Sequence, residues 1–249
     1  MTTDSKRHHG EQVETVRWMV RLGAVTADAL AEREGCSTAS ARGRLQAAAR
    51  AGFAGRARPL HGAPSLYTAT RAGMTLVGLR GEEPSRVCAA SARHQIACAR
   101  AAVVLERHYP HHLVLGEREL QRAERAVGGR LACARTSWRS RWGAWHRPDL
   151  VLWPAAADAA PVAVEVELTA KAPARLYEIC RAWGRCRNVA GVLYLASPAA
   201  FSPVARAIRA AGAEDRIALL GLEALDGIAP SAAHTASGAA PASAVTGTA

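Results

Sequence analysis

Residues 26–51 read TADALAEREGCSTASARGRLQAAARA, two short helical patterns with a break between them. Thr26 is suited to cap the first helix, whose buried face is Leu30 and Ala31. The break is Glu34-Gly35-Cys36-Ser37. Gly35 supplies the tight corner, because glycine accepts the left-handed backbone that other residues resist. Ser37 caps the second helix, which runs to about Ala51 around the apolar anchor Leu45, and Gly52 stops it.

Upstream of this pair, Val13, Val16, Met19, Val20 and Leu22 recur at helical spacing, and Gly23 ends the pattern. Trp18 reads as core, and residues 1–10, with His8 and His9, read as a loose polar tail. Downstream, Gly55, Pro59, Gly62 and Pro64 punctuate Phe53 to Tyr67, which predicts a β-ribbon. Thr70 caps a fourth helix with Met74, Leu76 and Val77, and 81–85 is a polar linker. This order over residues 11–80 is that of a winged helix-turn-helix. Its second paired helix would enter the major groove of DNA. Ser37, Thr38 and Ser40 allow close approach, while Arg42 and Arg44 reach guanine edges or phosphates. Arg56, Arg58 and His61 on the ribbon are placed for backbone contact. The same helix docking onto a protein is the competing expectation.

Charge weighs between the two. The 249-residue chain carries +11 formally, with a pI near 10.2. Residues 1–80 hold 12 Lys/Arg against 6 Asp/Glu, and residues 161–249 hold 8 against 7. A surplus concentrated over the first part of the chain favours a polyanionic partner, double-stranded DNA, over a protein. The six cysteines form no CxxC pair and have no zinc-ligand spacing, so they read as free thiols. No apolar run approaches a membrane span and no signal-like segment opens the chain, so a cytoplasmic protein with no membrane partner is expected.

The second domain, residues 88–225, reads as α/β with a mixed central sheet. Ala89–Tyr109 is a helix, followed by strands at Leu113–Leu115, Leu150–Trp153, Val162–Leu168, Val189–Ala196 and Ile217–Leu220. Helices fill 172–188 and 201–211. Residues 117–145 read as irregular and arginine-rich, with Arg139 and Arg141 among Trp138, Trp142 and Trp145 suited to nucleic-acid backbone contact. Residues 230–249, rich in Ala, Ser, Thr, Gly and Pro, read as a disordered tail.

Two motifs in this domain carry chemistry. His146-Arg147-Pro148-Asp149 leads into an apolar strand. Val164-Glu165-Val166-Glu167-Leu168-Thr169-Ala170-Lys171 alternates, with Glu165 and Glu167 on one face. Acids at the start of one strand and on one face of the next suit Mg²⁺, and a lysine nearby suits charge developing on a phosphate.

The pair of motifs resembles the PD-(D/E)xK superfamily, the restriction-endonuclease-like fold. The resemblance implies Asp149 and Glu165 as metal ligands. It departs at Glu167, which stands where that superfamily has its lysine, and Lys171 is then the substitute. Glu117 would be a further acid or else a solvated surface residue, and His94 a site neighbour or else a helix histidine satisfied elsewhere. The order of the motifs also resembles the actinobacterial replication-relaxation family of mobile elements. The resembling parts are 66–73, His94, Glu117-Arg118-Glu119-Leu120, Arg147-Pro148-Asp149 and 164–171. That likeness implies DNA handling during plasmid or integrative-element replication or transfer. Two uses of the second domain stay open: a Mg²⁺-dependent endonuclease with Asp149, Glu165, Glu167 and Lys171 as its catalytic set, or a degenerate binding platform. The alternative function is a transcriptional regulator whose α/β domain makes a homodimer or holds a partner.

Overall fold

A computed structural model describes residues 3–136, 145–156 and 159–227, with side chains from His9 to Leu225 within them. The chain begins with α1 (Thr3–Leu22), α2 (Ala27–Glu34) and α3 (Thr38–Arg50). A hairpin of β1 (Ala54–Ala57) and β2 (Leu66–Ala69) follows, then α4 (Arg71–Leu76) and α5 (Ala89–His108). Next come β3 (His112–Gly116), α6 (Glu117–Val127), β4 (Ala134–Arg135), β5 (Trp145–His146), β6 (Leu150–Pro154) and β7 (Val162–Glu167). The last elements are α7 (Pro173–Arg185), β8 (Gly191–Ala196), α8 (Pro198–Ala211), β9 (Ile217–Gly221) and a 3₁₀ turn at Leu222–Gly227.

Local chemistry sets the first boundaries. Thr26, Ser37 and Thr70 each accept a backbone N–H three residues on, from Ala29, Ser40 and Gly73. Gly35 closes α2 in the left-handed region at φ 62°. α1 starts at Thr3, within the stretch that composition marks as a loose tail. Trp18, Leu30 and Leu45 are buried together with Val25, Tyr67 and Met74, so four helices and the hairpin share one core. Val25 and Tyr67 exchange backbone hydrogen bonds at 2.9 and 3.0 Å, which ties the turn after α1 to the hairpin.

The larger sheet has the order β3-β6-β7-β8-β9. β3, β6 and β7 are antiparallel neighbours, and β7, β8 and β9 run parallel, so the sheet is mixed. The β7 alternation holds in space. Val164 and Val166 join the core beneath α5, whereas Ala163 joins the core beneath α7 and α8. All of β7 from Ala163 to Glu167 is buried, because helices cover both faces of the sheet.

α5 serves two cores. Ala99 and Val103 pack with the N-terminal helices, and Ala97, Ala101, Val104 and Leu105 pack on the sheet. Glu106 on α5 binds this junction: it accepts from Trp18 Nε1 (3.2 Å) and pairs with Arg21 and Arg33 Nε (2.9 Å). Gly116 lies at a close approach of α1 to the sheet. A Cβ there would lie 2.6 Å from the Arg21 carbonyl oxygen. Backbone on both sides leaves little room to adjust, so Gly116→Ala is expected to cost about 2–3 kcal/mol, read as an earlier urea midpoint.

A second segment departs from its sequence reading. Residues 117–127, expected to be irregular, form α6. Its charges fall at helical spacing, with Gln121 donating to Glu117 and Arg122 pairing with Glu119, while Leu120 is buried.

Candidate functional site

Asp149 directly precedes β6, and Glu165 and Glu167 lie near the end of β7. β6 and β7 are antiparallel, with Leu150 opposite Val164, which brings Asp149 beside Glu165 and Val166. The Val166 N–H donates to Asp149 Oδ2 at 2.8 Å. The acids therefore gather at the carboxyl end of the parallel strands, where open α/β sheets place their ligands.

Every acid already holds a partner. His94 of α5 lies with Nε2 3.0 Å from Asp149 Oδ1. His146 Nε2 is 2.8 Å from Glu165 Oε1, and Trp183 Nε1 donates to the same oxygen at 2.9 Å. Lys171, in the loop after β7, reaches back four residues to pair with Glu167. The hydrogen bond to Asp149 raises the His94 pKa against the opposing effect of burial. Burial pulls the His146 pKa down, but the Glu165 charge and hydrogen bond outweigh it, and the value is raised. Burial raises the Glu167 carboxyl above its usual value despite Lys171. Cys98 Sγ sits 3.4 Å from His94 Nε2, and burial pushes its pKa well up, so it stays a thiol.

A cleft of about 670 Å³ opens beside Asp149, with His94, Glu117, Arg118 and Arg86 on its walls. Residues 83–86 form one wall. Glu82 pairs with Arg122 (3.3 Å) and Arg125 (3.5 Å) of α6, and Arg118 donates to Ser85 at 2.9 Å. Behind this wall, the carboxylate of Glu124, only 4% exposed, accepts from Arg130, Arg147 Nε, the Leu131 N–H and the Cys133 thiol. It thereby fixes Arg147, two residues before Asp149.

Asp149, Glu165, Glu167 and Lys171, expected together from the sequence, are thus near neighbours at one strand end. Among the described residues no three of His, Cys, Asp and Glu are grouped so as to hold a metal ion. A divalent cation on Asp149 and Glu165 would compete with His94 and His146 for the same oxygens. His146, Trp183 and Glu124 escaped the sequence reading. His146 stood in the quoted motif, but the other two carry no local signal.

The residues expected to meet DNA lie on one part of the N-terminal unit. Ser37, Ser40 and Arg42 are exposed and Thr38 is half-buried, while Ala41, Leu45 and Ala48 form the buried stripe of α3. Arg44 is paired with Glu34, with Glu11 3.7 Å away. Arg42, Arg56 and Arg58 line a single pocket of about 250 Å³ between α3 and the hairpin. Arg139 and Arg141 fall outside the described residues, as does the tail from residue 230. Among the described residues no helix is long and apolar enough to cross a membrane.

No protein-family model, no curated protein and no solved structure matches the chain.

Proposed function

We propose that this chain binds double-stranded DNA through the face made by α3 and the β1–β2 hairpin, as a winged helix-turn-helix. One observation carries the reading. α3 presents Ser37, Ser40 and Arg42 to solvent just after the Gly35 corner, has no acidic residue in its first turn, and stands beside the arginines of the hairpin. Hydroxyls and a guanidinium at the start of a helix match what base edges and phosphates require. The basic surplus supplies the long-range attraction.

Ser40→Glu tests this directly. A carboxylate in the first turn favours the helix dipole, so the fold should melt no lower than the wild type. Facing phosphates it repels, and duplex affinity in fluorescence anisotropy should drop at least about tenfold, or 1.4 kcal/mol. Unchanged affinity at unchanged melting would remove α3 from the interface.

A second reading concerns the sheet. Asp149, on the cleft wall at the start of β6, with Glu165 and Glu167 toward the end of β7, favours a restriction-endonuclease-like domain derived from a nuclease. In that reading Asp149 and Glu165 hold Mg²⁺, while Glu167 and Lys171 flank the scissile phosphate. A mobile-element replication role, as in the replication-relaxation family, joins both readings. Supercoiled plasmid incubated with Mg²⁺ or Mn²⁺, with EDTA, and with a Glu165→Ala variant separates the outcomes. Metal-dependent nicking lost in the variant supports a nuclease. Retention without nicking leaves a DNA-binding platform or a regulator that acts as a homodimer.

A further inference from the structure

We propose that Arg42, Arg56 and Arg58 form a seat for one phosphate group, filled in the complex by a single backbone phosphate of duplex DNA. This rests on the DNA-binding reading and narrows it to one contact. The three side chains come from α3, from β1 and from the loop just after β1, yet line the same 250 Å³ pocket. Like charges brought into so small a space repel one another. Asp28 also lines the pocket, but among the described residues none of the three arginines has a carboxylate within ion-pair distance. An anion entering the pocket would relieve that repulsion.

The pocket is organised before any ligand arrives. Ser65 Oγ accepts from Arg56 Nε at 3.1 Å and from Arg58 Nε at 3.2 Å. Each guanidinium spends one N–H on this anchor and keeps its terminal N–H groups for a ligand. The anchor turns two flexible side chains to the same place, so less ordering remains to be done on binding. Tyr67, 1% exposed, gives the pocket a rigid wall. Forked guanidinium groups match phosphate oxygens in pairs, a geometry that lysine cannot supply. Because Arg42 belongs to the helix that faces DNA, the phosphate that reaches the pocket is part of the backbone rather than a free ion.

The test measures duplex affinity against NaCl concentration for the wild type and for Arg42→Gln, Arg56→Gln and Arg58→Gln, on two duplexes of unrelated sequence. A phosphate contact gives each variant a log–log salt slope shallower by about 1, with equal loss on both sequences. A slope equal to that of the wild type overturns the proposal. Loss confined to one sequence also overturns it, since that marks a base contact. A parallel arm follows the ³¹P line of inorganic phosphate with full-length protein in chloride buffer of matched ionic strength. Phosphate broadened by the wild type and not by Arg42→Gln, without any duplex binding, keeps the seat and removes the DNA reading. Neither phosphate nor duplex binding overturns both.

Discussion

Gly73→Ala is expected to destabilise the N-terminal unit by about 3 kcal/mol or more, a fall in Tm of roughly 6–12 °C for a chain of this size. Gly73 lies in the first turn of α4, capped by Thr70. A Cβ at this position would fall well inside van der Waals contact distance of the Phe53 carbonyl oxygen and 3.3 Å from a Val16 methyl group. That carbonyl cannot retreat freely, because it accepts the Thr70 N–H at 2.9 Å. α4, the end of α3 and α1 meet at this point, so strain here reaches the whole N-terminal core. Gly43→Ala is the control. Gly43 is exposed within α3 and has open space where a Cβ would stand. The same substitution there should raise stability by about 0.5–1 kcal/mol, through helix propensity alone. Thermal melts of the two variants should therefore move in opposite directions. Two shifts of the same sign would refute the packing described for Gly73.

Glu124→Ala is the second large effect, at about 2–3 kcal/mol, the range for leaving buried hydrogen-bonding groups without their acceptor while the two arginines keep access to water. The substitution strands Arg147 and Arg130 and leaves the Leu131 N–H and Cys133 thiol without their acceptor. Burial works to raise the Glu124 pKa, but the Cys133, Arg130, Arg147 and Leu131 hydrogen bonds together lower it. A carboxyl with a depressed folded value stabilises the protein above its unfolded value, here 4.5, and loses that contribution as pH falls through the folded value. The stability gap between wild type and Glu124→Ala should thus be full at pH 6 and shrink below about pH 4.5. Urea midpoints at both pH values check this, and a gap that widened on acidification would contradict it. Because Arg147 precedes Pro148-Asp149, the variant should also loosen the acid site.

The N-terminal boundaries were legible because their causes are local. A hydroxyl three residues ahead of an N–H, or a glycine at a corner, acts within one turn of helix, and Thr26, Gly35, Ser37 and Thr70 all do so. The two faces of β7 were legible for the same reason, since a strand alternates whatever lies around it. α6 was not, because its charges look like a solvated loop until the i to i+3 and i to i+4 pairs are drawn, and its buried face holds a glutamate. The resemblance placed His94 near the site, but the pairings of the acids were hidden for another reason. His94 meets Asp149 across 55 positions of chain, and Trp183 meets Glu165 across 18. Such pairings follow from strand order and helix packing, which no single stretch of sequence encodes. The convergence of Arg42 with Arg56 and Arg58 depends likewise on how the hairpin folds back on α3.

The most direct test of the central claim is the affinity of wild-type protein for a labelled duplex at 50 and 200 mM NaCl. A DNA-binding face that engages two or more phosphates predicts at least about a tenfold weaker Kd at the higher salt. No binding at 50 mM, or the same Kd at both concentrations, would contradict the account.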